Sequence, residues 1–391
     1  MRILHTSDLH LGRSFHGRSL FQDQEALCRE IIEVCEDHRV GAVLIAGDVY
    51  DQASPRTDVI DQFSRFLGNL RRRGIEIVIT SGNHDSPARL GFASELLSDV
   101  GVHLRTRVED INRPVTLNDG TLVYGVPYLD PRSSAPTLGA EPTHPSVLTA
   151  AVDAAWADRQ ERSAAHAIIM AHCFASGGVS SESERTLEAG NLGVVSARIF
   201  ERFDYAALGH LHGRQKLLPN VRYSGSPLAF SFSEARHTKG YWLIDTAGTE
   251  LTVEAGQWRH TVPLARISGT LEELLASEKF AWAESCWCQV KLTDMQRPAH
   301  PMERLRTRFP ETLELGFTGL SHREESRYAT KLAAVRTPLE TCSAFYEQVR
   351  GRELSDAERG LLESGIREAE RRLAQTEAGS SASTEAQGDH A

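Results

Sequence analysis

Short apolar runs alternate with helical patterns from residue 1 to about residue 260. Arg2–Thr6, Ala42–Ala46 and Ile75–Thr80 are apolar segments of strand length, and each leads directly into polar residues. Between the first two, Gln22–His38 carries apolar residues at the spacing of one helix face. A strand, a loop and a helix that repeat in this order predict an α/β fold.

The second half of this region is richer in strands than in helices. Val221–Tyr223, Tyr241–Ile244 and Leu251–Glu254 are strand candidates that follow one another without a helical pattern between them. Two mixed sheets packed face to face, with helices on the outside, accommodate both halves. We therefore predict a four-layer α/β sandwich for residues 1–260.

The pattern changes beyond residue 262. Trp287–Leu292 and Thr312–Phe317 are strand candidates with a helix at Met302–Phe309 between them, which predicts a small α/β cap at 262–335. Two C-terminal helices are predicted at 338–375, the second opened by a capping box of Ser355 and Glu358. Residues 376–391 contain no large apolar side chain and are predicted to be a disordered tail.

Composition and charge narrow the possible partners. The formal net charge of −10 gives no overall attraction to DNA or to an anionic membrane, so DNA contact would need a local basic surface or bound cations. No apolar run approaches the roughly 20 residues of a membrane span, and no secretory signal is evident. We therefore expect a cytoplasmic protein with free thiols and no membrane partner. Cys286 and Cys288 are better explained by an apolar strand than by half of a zinc site.

Five polar clusters lie at the ends of apolar strands, where the loops of an α/β sheet converge to form sites. They are Asp8-Leu9-His10, Gly47-Asp48-Val49-Tyr50-Asp51, Gly82-Asn83-His84-Asp85, Ala171-His172 and Gly209-His210-Leu211-His212. Their carboxylates, imidazoles and amide suit Mn²⁺, iron or Zn²⁺. A lone histidine at a strand end is usually structural, and the prediction of a two-cation phosphoesterase site depends on all the clusters occurring together.

These motifs resemble those of the calcineurin-like metallophosphoesterases. The flanking segments His5–Gly12, Gly82–Leu90, Tyr223–Leu228 and Ser231–Glu234 resemble, within that superfamily, the SbcD family of Mre-type double-strand DNA nucleases. The specific motifs cover about residues 1–245. The cap and the C-terminal helices are similar to the family only in general layout.

The resemblance implies a role for each matching position. Asp8, His10, Asp48 and His212 would hold one cation, and Asp48, Asn83, His172 and His210 would hold the other, with Mn²⁺ as the preferred metal. His84 would be the catalytic histidine that protonates the leaving 3′ oxygen. Asp85 either orients His84 or stabilises the turn, and Asp51 supports a neighbouring ligand or its loop.

Basic residues near these loops are candidates for contact with the DNA backbone. They are Arg13, His16, Arg18, Arg56 and Arg89. Arg71–Arg73 closes a helix, where positive charge is favourable even without a nucleic-acid ligand. Phosphate contacts carry no sequence information, so binding is expected to be sequence-independent and sensitive to salt.

The resemblance also implies partners and an activity. The family acts with an SbcC-type ATPase, as a homodimer within a heterotetramer, as a 3′–5′ exonuclease on double-strand ends and an endonuclease on hairpins and single strands, in DNA repair, recombination and replication. The alternatives are another calcineurin-like phosphoesterase, acting on phosphoproteins or cyclic nucleotides, and a scaffold without metals. The second is disfavoured because every ligand position and His84 carry a competent side chain.

Overall fold

A computed structural model describes residues 1–184, 193–318, 337–350 and 352–384 of the chain. The first of two large sheets has six strands in the order β14-β13-β1-β4-β5-β6. Its strands are β1 (Arg2–Thr6), β4 (Val40–Ala46), β5 (Glu76–Thr80), β6 (Val102–Arg105), β13 (Gly240–Asp245) and β14 (Thr252–Gln257). Strands β1, β4, β5 and β6 are parallel, whereas β13 is antiparallel to both of its neighbours.

The second large sheet also has six strands, in the order β11-β12-β10-β9-β8-β7. They are β7 (Val115–Thr116), β8 (Leu122–Val126), β9 (Ala167–His172), β10 (Tyr205–Gly209), β11 (Gln215–Lys216) and β12 (Val221–Tyr223). Strands β8, β9, β10 and β12 are parallel, and the two edge strands are antiparallel. The prediction of two mixed sheets is confirmed.

Helices cover the outer face of each sheet. The helices between Met1 and Ile267 are α1 (Phe21–Asp37), α2 (Thr57–Arg72), α3 (Pro87–Leu90), α4 (Ser94–Asp99), α5 (Pro131–Leu138) and α6 (His144–Glu161). Apolar side chains of α1 and α2 pack on the first sheet, and those of α5 and α6 pack on the second. A third apolar layer, which includes Leu44, Val78, Ile168 and Met170, lies between the sheets. The four-layer arrangement follows from these three layers of buried side chains.

In the described part of the chain, the other strands and α-helices form a short hairpin, a third sheet and four helices. Strands β2 (Ser14–Phe15) and β3 (Arg18–Ser19) form the hairpin, and β15 (Leu264–Gly269), β16 (Trp287–Leu292) and β17 (Thr312–Phe317) form a three-stranded sheet. The helices are α7 (Leu271–Ala276), α8 (Pro301–Arg306), α9 (Pro338–Arg350) and α10 (Asp356–Thr384). The described bounds of β16 and β17 match the strands expected from the sequence.

The chain forms two compact units. The first comprises Met1–Ile267, Ala281–Gln289 and Phe309–Glu314, and the second comprises Ser268–Phe280, Val290–Arg308 and Leu315–Ala391. The domain limits predicted at 260, 262, 335 and 338 remain predictions, and residues 319–336 lie outside the described part.

The C-terminal helix and the paired cysteines bear on two expectations from the sequence. Helix α10 continues to Thr384, so the start of a disordered tail at residue 376 is corrected; Ala, Gln and Glu, which dominate 374–378, are strong helix formers. Residues 385–391 are not described. The Cys286 and Cys288 thiols donate to backbone carbonyls, and Cys288 lies in β16 whereas Cys286 lies one residue before the strand begins. Among the described residues, no helix is long and apolar enough to cross a bilayer.

Candidate metal centre

The carboxyl ends of five parallel strands gather the predicted ligands. Strands β1, β4 and β5 deliver the first three clusters from one sheet, and β9 and β10 deliver the last two from the other. Six of the seven predicted ligands are buried, namely Asp8, His10, Asp48, His172, His210 and His212. Asn83, the seventh, is half-buried. Residues as far as 202 positions apart in the chain thus come within hydrogen-bond distance.

Asp8, His10 and His212 form one side of the centre. Their ligand atoms lie within 4.8 Å of one another. The Nε2 atoms of His10 and His212 are 3.2 Å apart, so two ring nitrogens face the same small volume. The Asp8 carboxylate lies beside them and accepts hydrogen bonds of 3.0 and 3.1 Å from the backbone N–H of His210.

Asn83, His172 and His210 form the other side. The Asn83 side-chain oxygen is 3.0 Å from His172 Nε2 and 3.2 Å from His210 Nδ1. The remaining ring nitrogen of His172 lies 2.9 Å from the carbonyl oxygen of Ala46. Since a carbonyl only accepts hydrogen bonds, Nδ1 of His172 carries a proton, and Nε2 is the ring nitrogen that faces the centre and could bind a cation.

Asp48 lies between the two sides. Its Oδ2 is 3.6 Å from His10 Nε2 on one side and 3.4 Å from His172 Nε2 on the other. Burial would raise the pKa of Asp48, but the charge and hydrogen bond of His172 outweigh burial and hold this pKa well below its usual range. A carboxylate in this position has the geometry needed to bridge two cations.

Glycines permit the close approach of the strand ends. A Cβ atom on Gly82 would lie 2.1 Å from Asp48 Oδ1, and one on Gly209 would lie 1.8 Å from the carbonyl oxygen of Ala46. A side chain at Gly209 would separate the two sheets at the centre, whereas one at Gly82 would displace Asp48 within the first sheet. Of the three glycines that directly precede Asp48, Asn83 and His210, only Gly47 has a positive φ, of 84°.

Burial changes the protonation of the remaining groups. Desolvation raises the pKa of Asp8 to about 6 and lowers the pKa of His10 to about 3. Carboxylate, imidazole and amide donors that are buried together, with several nitrogen lone pairs facing inwards, fit divalent cations of the Mn²⁺ and Zn²⁺ type.

The contacts of His84 and Asp85 distinguish the two roles that the sequence left open for Asp85. Nδ1 of His84 lies 2.8 Å from the backbone carbonyl oxygen of Asp51, which therefore accepts its proton. The Asp85 carboxylate accepts hydrogen bonds from the backbone N–H groups of Val49, Tyr50 and Gly82. These contacts favour the turn-stabilising role for Asp85. The ring of His84 is oriented by the Asp51 carbonyl instead.

Asp51 also contacts a predicted ligand through its side chain. Its Oδ1 lies 3.4 Å from Nδ1 of His10 and 3.3 Å from the guanidinium of Arg13. The contact agrees with the expectation that Asp51 supports a ligand rather than binding a metal itself.

The predicted DNA-contacting residues all have protein partners. Arg18 forms an ion pair with Glu311 and stacks over Trp287, and His16 lies 3.7 Å from Glu314. Arg56 pairs with Asp58, and Arg89 donates to the carbonyl oxygen of Ala53. Arg13 is the candidate that is connected to the centre, through Asp51. Arg71, Arg72 and Arg73 bind groups at the end of α2 or in α1, which supports a structural role for them.

Four residues that the motif analysis did not assign to the site surround His212. They are Ser183, Glu184, Glu234 and Lys239. Glu234 had been noted only as part of a family segment. Ser183 and Glu184 lie in a loop without a recognisable motif, so no local pattern could have identified them.

Known proteins are similar in sequence to the part of the chain that carries this centre. The profile of the family described as calcineurin-like phosphoesterase matches residues 1–214. The D component of the nuclease SbcCD from Staphylococcus saprophyticus is 30% identical over 319 residues, which span 81% of this chain and 84% of the relative. The chain belongs to the SbcD family of calcineurin-like phosphoesterases. Membership in this SbcD family implies bound divalent metal ions, and the buried groups described above are the candidate ligands.

One further profile extends the matched part of the chain, and two solved structures are weakly similar to it. A second profile, described as type 5 capsule protein repressor C-terminal domain, matches residues 260–350. A protein from Thermus thermophilus shares 13% identity at a TM-score of 0.38, covering 65% of this chain and 98% of its own. A dimetal phosphatase from Danio rerio shares 11% identity at the same TM-score of 0.38, covering 66% and 96%. Both structural similarities are too weak to add to the family assignment.

Proposed function

We propose that the chain is the nuclease subunit of an SbcCD-type complex and hydrolyses DNA phosphodiesters with two Mn²⁺ ions. The single observation that supports this most strongly is the position of Asp48 between two groups of buried nitrogen and oxygen donors. The similarity to a nuclease subunit over four-fifths of the chain supports DNA as the substrate.

The proposed ligand sets divide at Asp48. Asp8, His10, Asp48 and His212 hold one cation, and Asp48, Asn83, His172 and His210 hold the other. Bound cations would supply an activated water and neutralise charge on the phosphate. The residues of the chain keep the ligands in place: the Ala46 carbonyl orients His172, and the Asp51 carboxylate orients His10.

His84 acts as the general acid. Because the Asp51 carbonyl accepts the Nδ1 proton, the doubly protonated ring can give its second proton, on Nε2, to the leaving 3′ oxygen and stay neutral with Nδ1 protonated. Its backbone N–H donates to Asp48 Oδ1 at 2.8 Å, which fixes the distance between the acid and the bridging carboxylate. The proton thus leaves from a ring that the Asp51 carbonyl orients.

Double-strand ends and hairpins are the proposed substrates, cut in exonuclease and endonuclease modes respectively. Arg13 is the best placed of the basic candidates, because its partner Asp51 also touches His10. The other candidates contact protein groups that are not connected to the centre. Binding should therefore be weak at high salt and independent of sequence.

Hydrolysis of linear duplex DNA tests the activity. Purified protein with Mn²⁺ is expected to degrade the duplex, and protein with EDTA is not. A small aryl phosphodiester is tested in parallel. Cleavage of the small ester alone, with no cleavage of duplex or hairpin DNA, would favour a different calcineurin-like phosphoesterase.

The C-terminal helices are the proposed contact for an SbcC-type ATPase. Phe345 of α9 and Leu361 of α10 expose 58% and 75% of their surface, which leaves apolar area for a partner. Deletion of residues 338–391 is expected to abolish co-purification with the ATPase. If the truncated chain still bound the ATPase, the contact would lie outside residues 338–391.

A homodimer through the catalytic domain is proposed as well. Ile60, Phe92, Leu96 and Val100 are exposed apolar side chains, and Ile60 and Phe92 line one groove. Burying them in a second copy removes this apolar area from water. Phe92→Glu should convert a dimer into a monomer in light scattering.

The free thiols support a cytoplasmic location.

A further inference from the structure

His212 is held at every polar atom except the one that faces the metal centre. Its backbone N–H donates to Glu184 Oε1 at 2.7 Å, and its carbonyl oxygen accepts from Lys239 Nζ at 2.9 Å. Its Nδ1 lies 2.6 Å from the Ser183 hydroxyl. Nε2 is left to face His10. Such complete fixation exceeds what the packing of a buried imidazole requires.

The contacts behind Nδ1 determine which ring nitrogen carries the proton. The Ser183 hydroxyl donates its only hydrogen to the Glu234 carboxylate. It can therefore interact with His212 only as an acceptor, which requires a proton on Nδ1. The lone pair of His212 is consequently on Nε2, on the side of Asp8 and His10.

A buried ion pair keeps Glu234 charged. Lys239 Nζ contacts Glu234 Oε2 at 2.5 Å and also donates to the Ser226 hydroxyl at 2.8 Å. Glu234 and Lys239 are 1% and 4% exposed, so neither charge is hydrated by bulk water. A buried pair of this kind is weak evidence for stability, because apolar residues of equal volume often stabilise as well. A role in the site explains it better.

We propose that Ser183, Glu234 and Lys239 are positioning residues that fix the tautomer and orientation of His212 for one of the two metal ions. The inference rests on the proposed metal centre. The chain of contacts runs from Lys239 to Glu234, from Glu234 to Ser183, and from Ser183 to Nδ1 of His212. It reaches only one ion, since within the described part of the chain the ligands particular to the other ion make no hydrogen bond to these three side chains.

Manganese binding without substrate tests the proposal. The full-length protein is titrated with Mn²⁺, and free Mn²⁺ is followed by its room-temperature EPR signal. Ser183→Ala and Glu234→Gln are expected to lower the affinity for one equivalent of Mn²⁺ by about 10- to 100-fold. This is the usual effect of losing a group that orients a ligand. The second equivalent should bind as in the wild type.

Glu30→Gln is the matched control. Glu30 is also a buried carboxylate with a cationic partner, Arg259, but it lies on α1 and accepts the backbone N–H groups of Arg259 and His260. This variant is expected to lose stability and to keep both Mn²⁺ affinities. Ser183→Ala removes a single hydroxyl from a loop, so it decides the matter even if Glu234→Gln folds poorly.

The outcomes separate this proposal from the proposed function. Wild-type protein that binds no Mn²⁺ would contradict the metal centre as a whole. If the wild type binds two equivalents of Mn²⁺ tightly and Ser183→Ala and Glu234→Gln bind both equally tightly, the result would overturn only the positioning role. Equal weakening by Glu30→Gln would also overturn it, because general destabilisation would then explain the loss.

Discussion

Four predicted ligands have a backbone conformation that is unfavourable for residues with side chains. Asp8, His10, Asp48 and His210 have φ angles of 53°, 42°, 48° and 106°. Each such residue costs about 1–2 kcal/mol relative to the ordinary right-handed region. Hydrogen bonds between the strand ends offset this cost, such as Asp8 N–H to Gly47 O and His10 N–H to Asp48 O. The ligands are therefore held in place by the fold itself.

His84→Ala separates catalysis from metal binding. We expect the rate of DNA cleavage to fall by about 10²- to 10⁴-fold, because the leaving oxygen loses its proton donor. Mn²⁺ stoichiometry should stay at the wild-type value, since the contact with Asp48 comes from the backbone N–H of residue 84 and not from its side chain. Single-turnover cleavage and metal analysis measure the two effects.

His38→Ala, at the carboxyl end of α1, is the control for removing an imidazole. It should change neither the rate nor the stoichiometry. The ligand atoms of His84 lie within 4.8 Å of those of His10 and Asp48, so His84 has the geometry of a ligand too. If His84→Ala lost one Mn²⁺, His84 would be a metal ligand and not the general acid.

Asp48→Asn tests the bridging carboxylate. The amide can keep one oxygen for the His84 N–H, but the atom between His10 and His172 becomes an NH₂ group that cannot bind a cation. We expect fewer than two Mn²⁺ per chain and a loss of cleavage greater than about 100-fold, above the usual effect of groups that only support a ligand. Asp58→Asn, on the surface of α2, is the matched control. Two tightly bound ions in Asp48→Asn would contradict the bridge.

Residue identities point to the candidate centre far more directly than to the residues that surround it. The motifs around Asp8, Asp48 and His210 have fixed spacing and follow apolar strands, so they can be recognised locally. Ser183 contacts His212 across 29 positions, and no spacing rule connects them. The DNA candidates show the same limit, because the pairing of Arg18 with Glu311 depends on tertiary structure.

In the third sheet, the two strands were predicted more accurately than the helix between them. Apolar and polar residues alternate along β16 and β17, and a shift of one residue would turn the apolar side chains to the other face of the sheet. Helix α8 ends at Arg306 rather than at Phe309. Helix ends depend on capping contacts and fray easily, so local patterns define them less well.

Helix α10 provides a test of a predicted capping box. The backbone N–H of Ser355 donates to the Glu358 carboxylate at 2.9 Å, and that of Glu358 donates to the Ser355 hydroxyl at 3.4 Å. Ser355→Ala should destabilise the first turn by about 1 kcal/mol, which makes its amides exchange about five times faster. Hydrogen exchange of residues 356–359 measures the change. Ser364→Ala, in the middle of the same helix, should leave these amides unaffected.

At the scale of the whole molecule, the two large sheets are joined by a buried histidine. His5 of β1 lies 2.9 Å from the Tyr205 hydroxyl and 3.2 Å from the Leu208 carbonyl oxygen, both on β10. The carbonyl accepts the Nε2 proton, and Nδ1 then accepts from the tyrosine, so the ring is neutral. The sequence alone showed an apolar strand here, and the polar link appears only when the sheets are stacked.

The neutral state of His5 makes the stability of the sandwich depend on pH. Desolvation lowers the pKa of His5 to about 3, against about 6.5 in an unfolded chain. Between these values the unfolded state binds a proton that the folded state does not. This contribution to stability is therefore complete above pH 6.5 and is lost as the pH falls towards 3, at up to about 1.4 kcal/mol per pH unit.

His5→Gln keeps one donor and one acceptor but cannot take up a proton. With EDTA present to remove metal effects, urea unfolding from about pH 7.5 to about pH 4.5 should show a shallower loss of stability in this variant, by about one proton. His38→Gln should follow the wild-type slope. If His5→Gln and wild type lost stability in parallel, the imidazole between the sheets would have to be charged already. The neutral contact between β1 and β10 would then be the wrong description of how the two halves of the sandwich are joined.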